Sequence, residues 1–243
     1  MRHGNLAMRL FGGFELRCDG QIVKVPQSAH RVLSFLALKD RPLPRGYVAD
    51  SLWPDTREDK AYANLRTALW RLHCLRLDLI EASPGEIALN SAVSVDVRTV
   101  HDAACKRRRN GVLPQPEALV EIHGELLPGC FEAWLTFERE RLREEAVELL
   151  EAASRACLVR GQTHLAMMLC LGAVECDALR ESTNLLLVQI CDLAGERIRA
   201  IRHAQTYAER LKEELGVSPP PVLTELLDCC ANQRSRYGDQ PGH

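Results

Sequence analysis

The sequence predicts a two-part chain: an α+β N-terminal winged helix with a small antiparallel sheet, followed by an all-α domain of TPR-like helix pairs. Two observations lead to this prediction. In the first 94 residues, short alternating runs and three helical segments precede a hairpin, whereas the pattern from Val95 onward is helical. In the second part, small residues recur at a spacing of 34 residues, which is the tetratricopeptide period.

The chain opens with three short runs that alternate apolar and polar residues, at 7–11, 14–18 and 21–25. Gly12-Gly13 separates the first two runs. Asp19-Gly20, which is a strong hairpin signal, separates the last two. We therefore expect a small antiparallel sheet at the start of the chain.

Two helices are expected next. Residues 26–40 form the first, with Ser28 as the expected N-cap. A second, short helix covers residues 45–53 and ends before Pro54, because a residue that precedes proline disfavours the helical conformation. The buried face of the first helix is expected to consist of Val32, Leu33, Phe35, Leu36 and Leu38.

The third helix, expected over residues 59–77, is the longest of the first part. At 100° per residue its apolar side chains fall within one arc, as in a helix with one buried stripe. Such a helix is about 28 Å long, enough to lie in a major groove about 12 Å wide while one side stays docked on its own domain. The expected buried stripe consists of Ala61, Leu65, Ala68, Leu69, Leu72, Leu75 and Arg76.

The other faces of the third helix mix cations, short hydrogen-bonding groups and one indole, which is the chemistry of a DNA-recognition helix. Asn64, Thr67 and Arg71 are the candidates for base edges. The candidates for backbone or sugar contacts are Arg57, Lys60, Arg66 and Trp70. The alternative is an ordinary surface helix, because solvent accepts the same residue types.

A hairpin is expected after the third helix, with residues 78–82 and 86–90 flanking Ser83-Pro84-Gly85. Strands, three helices and a hairpin follow one another in the same order in a winged helix. In that fold the third helix enters the major groove and the hairpin forms the wing. This order favours a recognition helix over an ordinary surface helix.

Residues 8–90 resemble the OmpR-type DNA-binding domain of the SARP (antibiotic regulatory protein) class of bacterial activators. The motifs are LFGGFEL at 10–16, SLWPD at 51–55 and ANLRTALWRLH at 63–73. The resemblance implies that the last motif is the recognition helix, that the protein binds direct repeats in double-stranded promoter DNA as a dimer or pair, and that it recruits RNA polymerase. The wing departs from the family pattern, because Glu81 and Glu86 flank its tip, where carboxylates repel phosphate.

Helices are expected throughout the second part. One helix ends in the basic cluster 106–109, which we interpret as a solvated helix C-terminus favoured by the helix dipole, in preference to a contact with DNA or an acidic partner. A helix around 117–125 and a long helix over 131–160 follow. The pairs 34 residues apart are Gly161 with Gly195, Ala166 with Ala200, and Cys170 with Ala204. Glycine suits an inter-helix turn and alanine a close helix approach, so we expect stacked helix pairs, although Ala178 stands where such repeats normally have proline.

The second part resembles the bacterial transcriptional activation domain that follows the winged helix in SARP-class regulators. The motifs are GELLPG at 124–129, Trp134, ERERLRE at 138–144 and RLKEELGVSP at 210–219. Gly216 is expected at the C′ position of the last repeat helix, and residues 223–230 as a terminal capping helix. The predicted segments are the winged-helix domain 1–94, the helical activation domain 95–230 and a disordered tail 231–243.

Composition and missing motifs exclude several classes of function. No apolar run reaches the length of a membrane span and no signal peptide is present, so we expect a cytoplasmic protein without a membrane partner. The ten cysteines are scattered through apolar helical stretches and are expected to be reduced core residues. P-loop, dinucleotide-binding, nucleophile-elbow and zincin motifs are missing. We therefore expect no enzymatic activity, no cofactor and no metal.

The leading hypothesis is a sequence-specific DNA-binding transcriptional activator. Residues 1–94 hold 13 Lys and Arg against 10 Asp and Glu, and residues 95–243 hold 18 against 23, a mild polarity that suits a polyanion partner for the first part. The alternative is an adaptor that binds no DNA, whose helical repeats bind a protein or ligand and whose winged helix is vestigial.

Overall fold

The computed structural model describes residues 5–225. Two compact units share the chain: the first contains the chain up to Cys105 together with Glu125–Glu145, and the second contains Lys106–Gly124 together with the chain from Ala146 onward. The units therefore interleave in sequence, which differs from a single division after residue 94. That domain boundary stays a prediction.

The order of elements confirms the predicted fold class, with strands and three helices before a hairpin and helices after it. The described strands are β1 (Leu6–Arg9), β2 (Glu15–Cys18), β3 (Gln21–Ile22), β4 (Leu43–Pro44), β5 (Ile80–Ala82), β6 (Glu86–Leu89) and β7 (Ser94–Val95). The described α-helices are α1 (Gln27–Lys39), α2 (Arg45–Leu52), α3 (Glu58–Cys74), α4 (Asp96–Asn110), α5 (Ala133–Val159), α6 (Thr163–Cys176), α7 (Glu181–Leu193) and α8 (Arg197–Arg210).

The first sheet has the strand order β3-β2-β1-β7. β1 and β2 pair antiparallel with Leu6 opposite Cys18, and the turn after β2 uses Asp19 and Gly20 at φ of 50° and 78°, as the Asp-Gly signal predicts. β7 pairs with β1 in the parallel direction. The sheet is therefore mixed, because the chain returns to its edge after the wing hairpin.

Asp96 fixes the end of this sheet. Its Oδ2 accepts hydrogen bonds from the N–H groups of Leu10 and Phe11 at 2.8 and 2.9 Å, and its Oδ1 accepts one from Val97 at 2.7 Å. Burial raises the pKa of this carboxyl to about 6 against the opposing effect of those hydrogen bonds and of Arg9. The side chain thus ties the start of α4 to the chain just after β1.

α1 forms the predicted buried face, and its apolar positions from Val32 to Leu38 are all buried. The prediction that Ser28 is the N-cap residue of this helix is wrong. Pro26 is the N-cap residue, without a side-chain hydrogen bond, and Ser28 lies inside the first turn of the helix. The hydroxyl of Ser28 accepts a hydrogen bond from Arg71 of α3 instead.

α3 is shorter than the predicted helix over residues 59–77. Its buried stripe contains Ala61, Leu65, Ala68 and Leu72, while Leu69 and Leu75 are half-buried. Arg76 is exposed and adopts a φ of 56°, in the left-handed region, so the chain turns away after Cys74. The inclusion of Arg76 in the buried stripe is therefore wrong.

The wing is a three-stranded sheet with the order β4-β6-β5. β5 and β6 form the predicted hairpin, with Ile80 opposite Leu89 and Ala82 opposite Ile87. β4, which precedes α2, adds to the other edge of β6 with Leu43 opposite Ile87. The start of α2 is therefore held beside the tip of the hairpin.

Residues 125–145 belong to the first unit because they pack on α1. Trp134 meets Phe35 edge-on with ring centroids 5.3 Å apart, and Lys39 forms an ion pair of 3.1 Å with Glu138. The N–H of Leu127 donates to Leu10 O at 2.9 Å. The helix expected around 117–125 is wrong, since only the 3-10 turn Pro116–Leu119 forms before the chain leaves to make these contacts.

The second unit confirms the 34-residue repeat. α6 and α8 have the same length, and each bound of α8 is 34 residues after that of α6. Gly161 and Gly195 end the preceding turns at φ of 71° and 73°. Gln162 N–H donates to Cys157 O at 2.9 Å, and its equivalent Glu196 N–H donates to Cys191 O at 2.8 Å.

The predicted features near the end of the repeats are partly observed. After α8 a π-helical turn, Leu211–Leu215, leads to Gly216 in the left-handed conformation at φ of 68°, as expected for a C′ residue. Residues 221–225 are helical, and Leu223 packs against Ala204 and Tyr207. The rest of the expected capping helix and the tail 231–243 lie outside the described residues.

The cysteines within residues 5–225 form no disulfides, and Cys157, Cys170, Cys176 and Cys191 are buried in the second unit. Burial raises the pKa of the Cys170 and Cys176 thiols to about 12. Within residues 5–225, no helix is both long and apolar enough to cross a bilayer.

Candidate nucleic-acid interface

The candidate residues lie on two adjoining stripes of α3 and at its start. Lys60, Asn64, Thr67 and Arg71 follow one another at helical spacing along the first stripe, and Arg66 and Trp70 lie on the second. All of them are exposed except Asn64, which is half-buried beside the buried stripe. The structure thus brings six of the seven predicted residues to one continuous surface of one helix.

Arg57, the seventh residue, is the N-cap residue of α3. Its Nε lies 3.6 Å from Asp59 Oδ1, and the two side chains are 88% and 74% exposed. An ion pair between such exposed groups contributes little to stability, because solvent screens it. Arg57 is therefore available to exchange Asp59 for another anion.

Thr67 has less hydrogen-bonding capacity than its side chain suggests. Its hydroxyl donates to Ala63 O at 2.9 Å within the helix, which uses its one proton. The hydroxyl oxygen can still accept, and the methyl group stays exposed. This side chain can therefore meet an amino group or a thymine methyl in a major groove, but it cannot donate without breaking the bond to Ala63.

Arg71 is held by a neighbouring helix. Its Nη1 donates to Ser28 Oγ of α1 at 2.7 Å, across a separation of 43 residues. A guanidinium has five N–H donors in a planar fork, so this bond leaves enough donors for a bidentate contact. The hydroxyl of Ser28 therefore orients Arg71 and leaves the other guanidinium N–H donors available for a further contact.

Trp70 faces the wing and remains 65% exposed. A groove of about 360 Å³ runs between α3 and the wing beside it, and Leu69, His73, Ile80 and Ala82 line its walls together with Arg45. A large exposed aromatic next to cationic side chains is suited to contact sugar or a base face.

Arg45 is the cation that sequence reasoning missed at the wing. Its Nη2 donates to Ser83 O at 3.2 Å, and its backbone N–H donates to Gly85 O at 3.0 Å. The residue starts α2, far from the hairpin in sequence. Only the pairing of β4 with β6 brings it to the wing tip, so no local sequence signal pointed to it.

The two carboxylates of the wing have different surroundings. Glu81 Oε1 accepts hydrogen bonds from the N–H and hydroxyl of Ser91 at 3.2 and 3.4 Å. Glu86 is exposed, and its backbone N–H donates to Ser83 Oγ at 3.1 Å. Glu81 is therefore bound to Ser91, at the end of the hairpin opposite its tip.

The turn between α2 and α3 is anchored from α1. The guanidinium of Arg31 donates to Leu52 O, forms an ion pair of 2.8 Å with Glu132, and lies 5.6 Å from the ring centre of Trp53. These contacts fix the position from which α3 begins. Within residues 5–225 no three His, Cys, Asp or Glu side chains gather as metal ligands.

Comparison with known proteins gives a family match in the second part of the chain. Residues 97–228 match the family described as the bacterial transcriptional activator domain. This match covers more than half of the chain and lies within the predicted helical domain.

Two curated relatives carry the name Regulatory protein AfsR. The chain is 27% identical over 229 residues to the protein of Streptomyces griseus, covering 90% of this chain and 23% of that one. It is 28% identical over 240 residues to the protein of Streptomyces coelicolor, covering 92% of this chain and 24% of that one. The chain thus spans about a quarter of the length of these relatives.

One solved structure, Mycobacterium tuberculosis EmbR in complex with low affinity phosphopeptide, has a similar fold. It superposes with a TM-score of 0.55 at 20% sequence identity, covering 99% of this chain and 67% of that one. At this identity the likeness concerns the fold alone.

Proposed function

The chain belongs to the bacterial transcriptional activator domain family and to the SARP class of bacterial transcriptional activators, and from this premise we propose that it is a sequence-specific DNA-binding activator. The observation that carries the proposal is the exposed polar surface of α3. Four side chains of this surface, Lys60, Asn64, Thr67 and Arg71, follow one stripe of the helix, next to the buried stripe that docks it on its own domain. A winged helix presents such a surface to the major groove.

Each candidate residue has a role that fits its surroundings. Asn64, Thr67 and Arg71 contact base edges, with Arg71 suited to a bidentate contact with guanine. Arg57, Lys60, Arg66 and Trp70 contact phosphate or sugar and set the register of the helix. Arg45 adds a cation beside the wing, where the sequence alone suggested only carboxylates.

The family resemblance extends the proposal to partners. The protein binds direct repeats near a promoter as a dimer or pair and recruits RNA polymerase. The proposal includes no catalytic activity, in keeping with relatives that are named as regulatory proteins, and a cytoplasmic location. The adaptor that binds no DNA is the competing function, and the exposed Glu86 at the wing favours it.

A salt titration of binding to a random DNA duplex tests the proposal. An activator loses affinity steeply as salt rises, because each neutralised phosphate releases a counterion. Arg66→Ala is expected to lower the slope of log affinity against log salt by about one unit and to weaken all sequences alike. Arg160→Ala, which removes the same charge from the turn after α5, is the matched control. Absence of salt-dependent duplex binding would instead identify an adaptor.

A further inference from the structure

The two repeats of the second unit differ in what covers their second helix. In α6, Leu169, Gly172 and Cys176 are buried and lie on one face, together with the half-buried Leu165. The residues 34 positions later on α8 are Arg199, His203, Thr206 and Arg210, which we call the α8 outer face. Its members share one face because they are spaced by four, three and four residues.

A segment of the chain itself covers the α6 face. A Cβ at Gly172 would lie only 2.9 Å from Ile122 O, and His123 Nδ1 lies 3.1 Å from Glu175. Leu119 and Ile122 of this segment are buried. Residues 116–124, which begin with the 3-10 turn Pro116–Leu119, therefore cover the outer face of the first repeat.

No segment among residues 5–225 covers the equivalent face of α8. Arg199, Thr206 and Arg210 are exposed there, whereas their counterparts on α6 are half-buried or buried. The only half-buried member is His203, whose Nε2 lies 2.9 Å from Asn184 Oδ1 of α7. The second repeat thus has an open position where the first repeat holds a peptide.

The side chains on and beside the α8 outer face indicate the kind of partner that it can bind. α8 carries four arginines and one glutamate, and Arg199 is bonded to Glu196 at 3.0 Å. Leu193 and Ile198 are exposed at the adjoining turn, beside an open hollow of about 640 Å³ lined by Ile198, Arg199 and Arg202 among others. Guanidinium groups bind carboxylates with paired hydrogen bonds, and exposed apolar side chains favour a protein partner over nucleic acid.

We propose that the α8 outer face is a docking site for a short acidic segment of a partner protein that also carries apolar residues. The segment lies along α8 as residues 116–124 lie along α6. That internal segment buries Leu119 and Ile122 and leaves Glu117 and Glu121 exposed, so the fold already contains one short stretch of chain on the corresponding helix face, there held by apolar contacts. The proposal does not depend on DNA binding by α3.

Fluorescence anisotropy with the full chain tests this site. The probe is a labelled peptide with the sequence of residues 115–124 in which Ala118→Glu and Val120→Glu add two carboxylates. Saturable binding is expected, and Arg199→Ala or Arg210→Ala is expected to weaken it about fivefold or more, as for loss of one charge-assisted hydrogen bond. Thr206→Trp, which fills the exposed face, is expected to block binding.

The controls separate this site from general attraction between charges. Arg160→Ala removes one arginine from the first repeat and should leave the affinity unchanged. A scrambled peptide of the same composition should bind at least fivefold more weakly. Equal affinities for the two peptides, or equal effects of Arg160→Ala and Arg199→Ala, would overturn the proposal. So would a loss in the Arg199→Ala variant of affinity for a DNA duplex without a loss of affinity for the peptide.

Discussion

Arg71 of α3 and Ser28 of α1 are joined by a hydrogen bond of 2.7 Å from Nη1 to Oγ. An arginine side chain loses about 2 kcal/mol of rotamer entropy when it is fixed, so an arginine that is already oriented in the free protein loses less on binding. The position of Ser28 on α1 therefore helps to set the orientation of Arg71, a candidate base-contacting residue of α3.

Removal of the Ser28 hydroxyl is expected to weaken specific DNA binding. Ser28→Ala leaves the Arg71 guanidinium unoriented, and the loss of one hydrogen bond of about 0.5–1.5 kcal/mol corresponds to about two- to tenfold in affinity for a selected site. Affinity for random duplex should change less. Electrophoretic mobility shift measures both, with Ser28→Thr as the variant that keeps a hydroxyl. Unchanged or tighter specific binding by Ser28→Ala would show that Ser28 does not prepare Arg71 for DNA.

The covered and open faces of the repeats predict opposite tolerance to substitution. Gly172→Ala places a methyl group 2.9 Å from Ile122 O, a backbone atom that cannot rotate away, so the free energy of unfolding is expected to fall by about 1–3 kcal/mol. Thr206→Ala at the equivalent exposed position should change it by less than about 0.5 kcal/mol. Urea denaturation followed by circular dichroism measures both. A Gly172→Ala variant as stable as the wild type would mean that residues 119–123 do not pack on α6.

The titration of His203 is expected to make the free energy of unfolding depend on pH. Burial lowers the pKa of its imidazole, and Arg210 and Arg199 on the same helix lower it further. A group with a depressed pKa stays neutral in the folded protein and takes up its proton more readily when unfolded. Its stabilising contribution is therefore present above the unfolded pKa of about 6.5 and is lost as the pH falls below it.

The comparison of wild type with His203→Gln isolates this effect, since other titrating groups are common to both. Glutamine keeps an amide donor for Asn184 Oδ1 but does not titrate. The melting temperature of the wild type should fall more than that of His203→Gln between about pH 7.5 and pH 5.5. Parallel curves for the two proteins would contradict a half-buried, neutral His203.

Local sequence patterns predicted the elements of this fold and missed the contacts between distant parts of it. Helical periodicity located α1, α3 and α5, and the Asp19-Gly20 pair located a hairpin, because each of these signals is local. Ser28 looked like a cap, yet its partner is 43 residues away. The helix expected at 117–125 is replaced by the 3-10 turn Pro116–Leu119, since the residues after it pair with Leu10 and Phe11, just beyond β1.

In the candidate site too, local patterns were predictable from the sequence, whereas contacts between distant segments were not. One periodic pattern predicted that the candidate residues of α3 share a surface, because they lie on the same helix. Arg45 could not be found in this way, because it reaches the wing only through the pairing of β4 with β6. The bond of Glu81 to Ser91 also depends on how the hairpin ends fold back, which alternation of residues does not encode.

The central claim is that the exposed stripe of α3 reads bases, and selection of bound sequences from a random duplex pool tests it most directly. The wild-type chain should enrich a motif of direct repeats. The Arg71→Ala variant should lose preference at one base pair of each repeat and about 1–3 kcal/mol of binding free energy for the wild-type motif. Failure of the wild type to enrich any motif, or recovery of the same motif with equal affinity by Arg71→Ala, would contradict the claim.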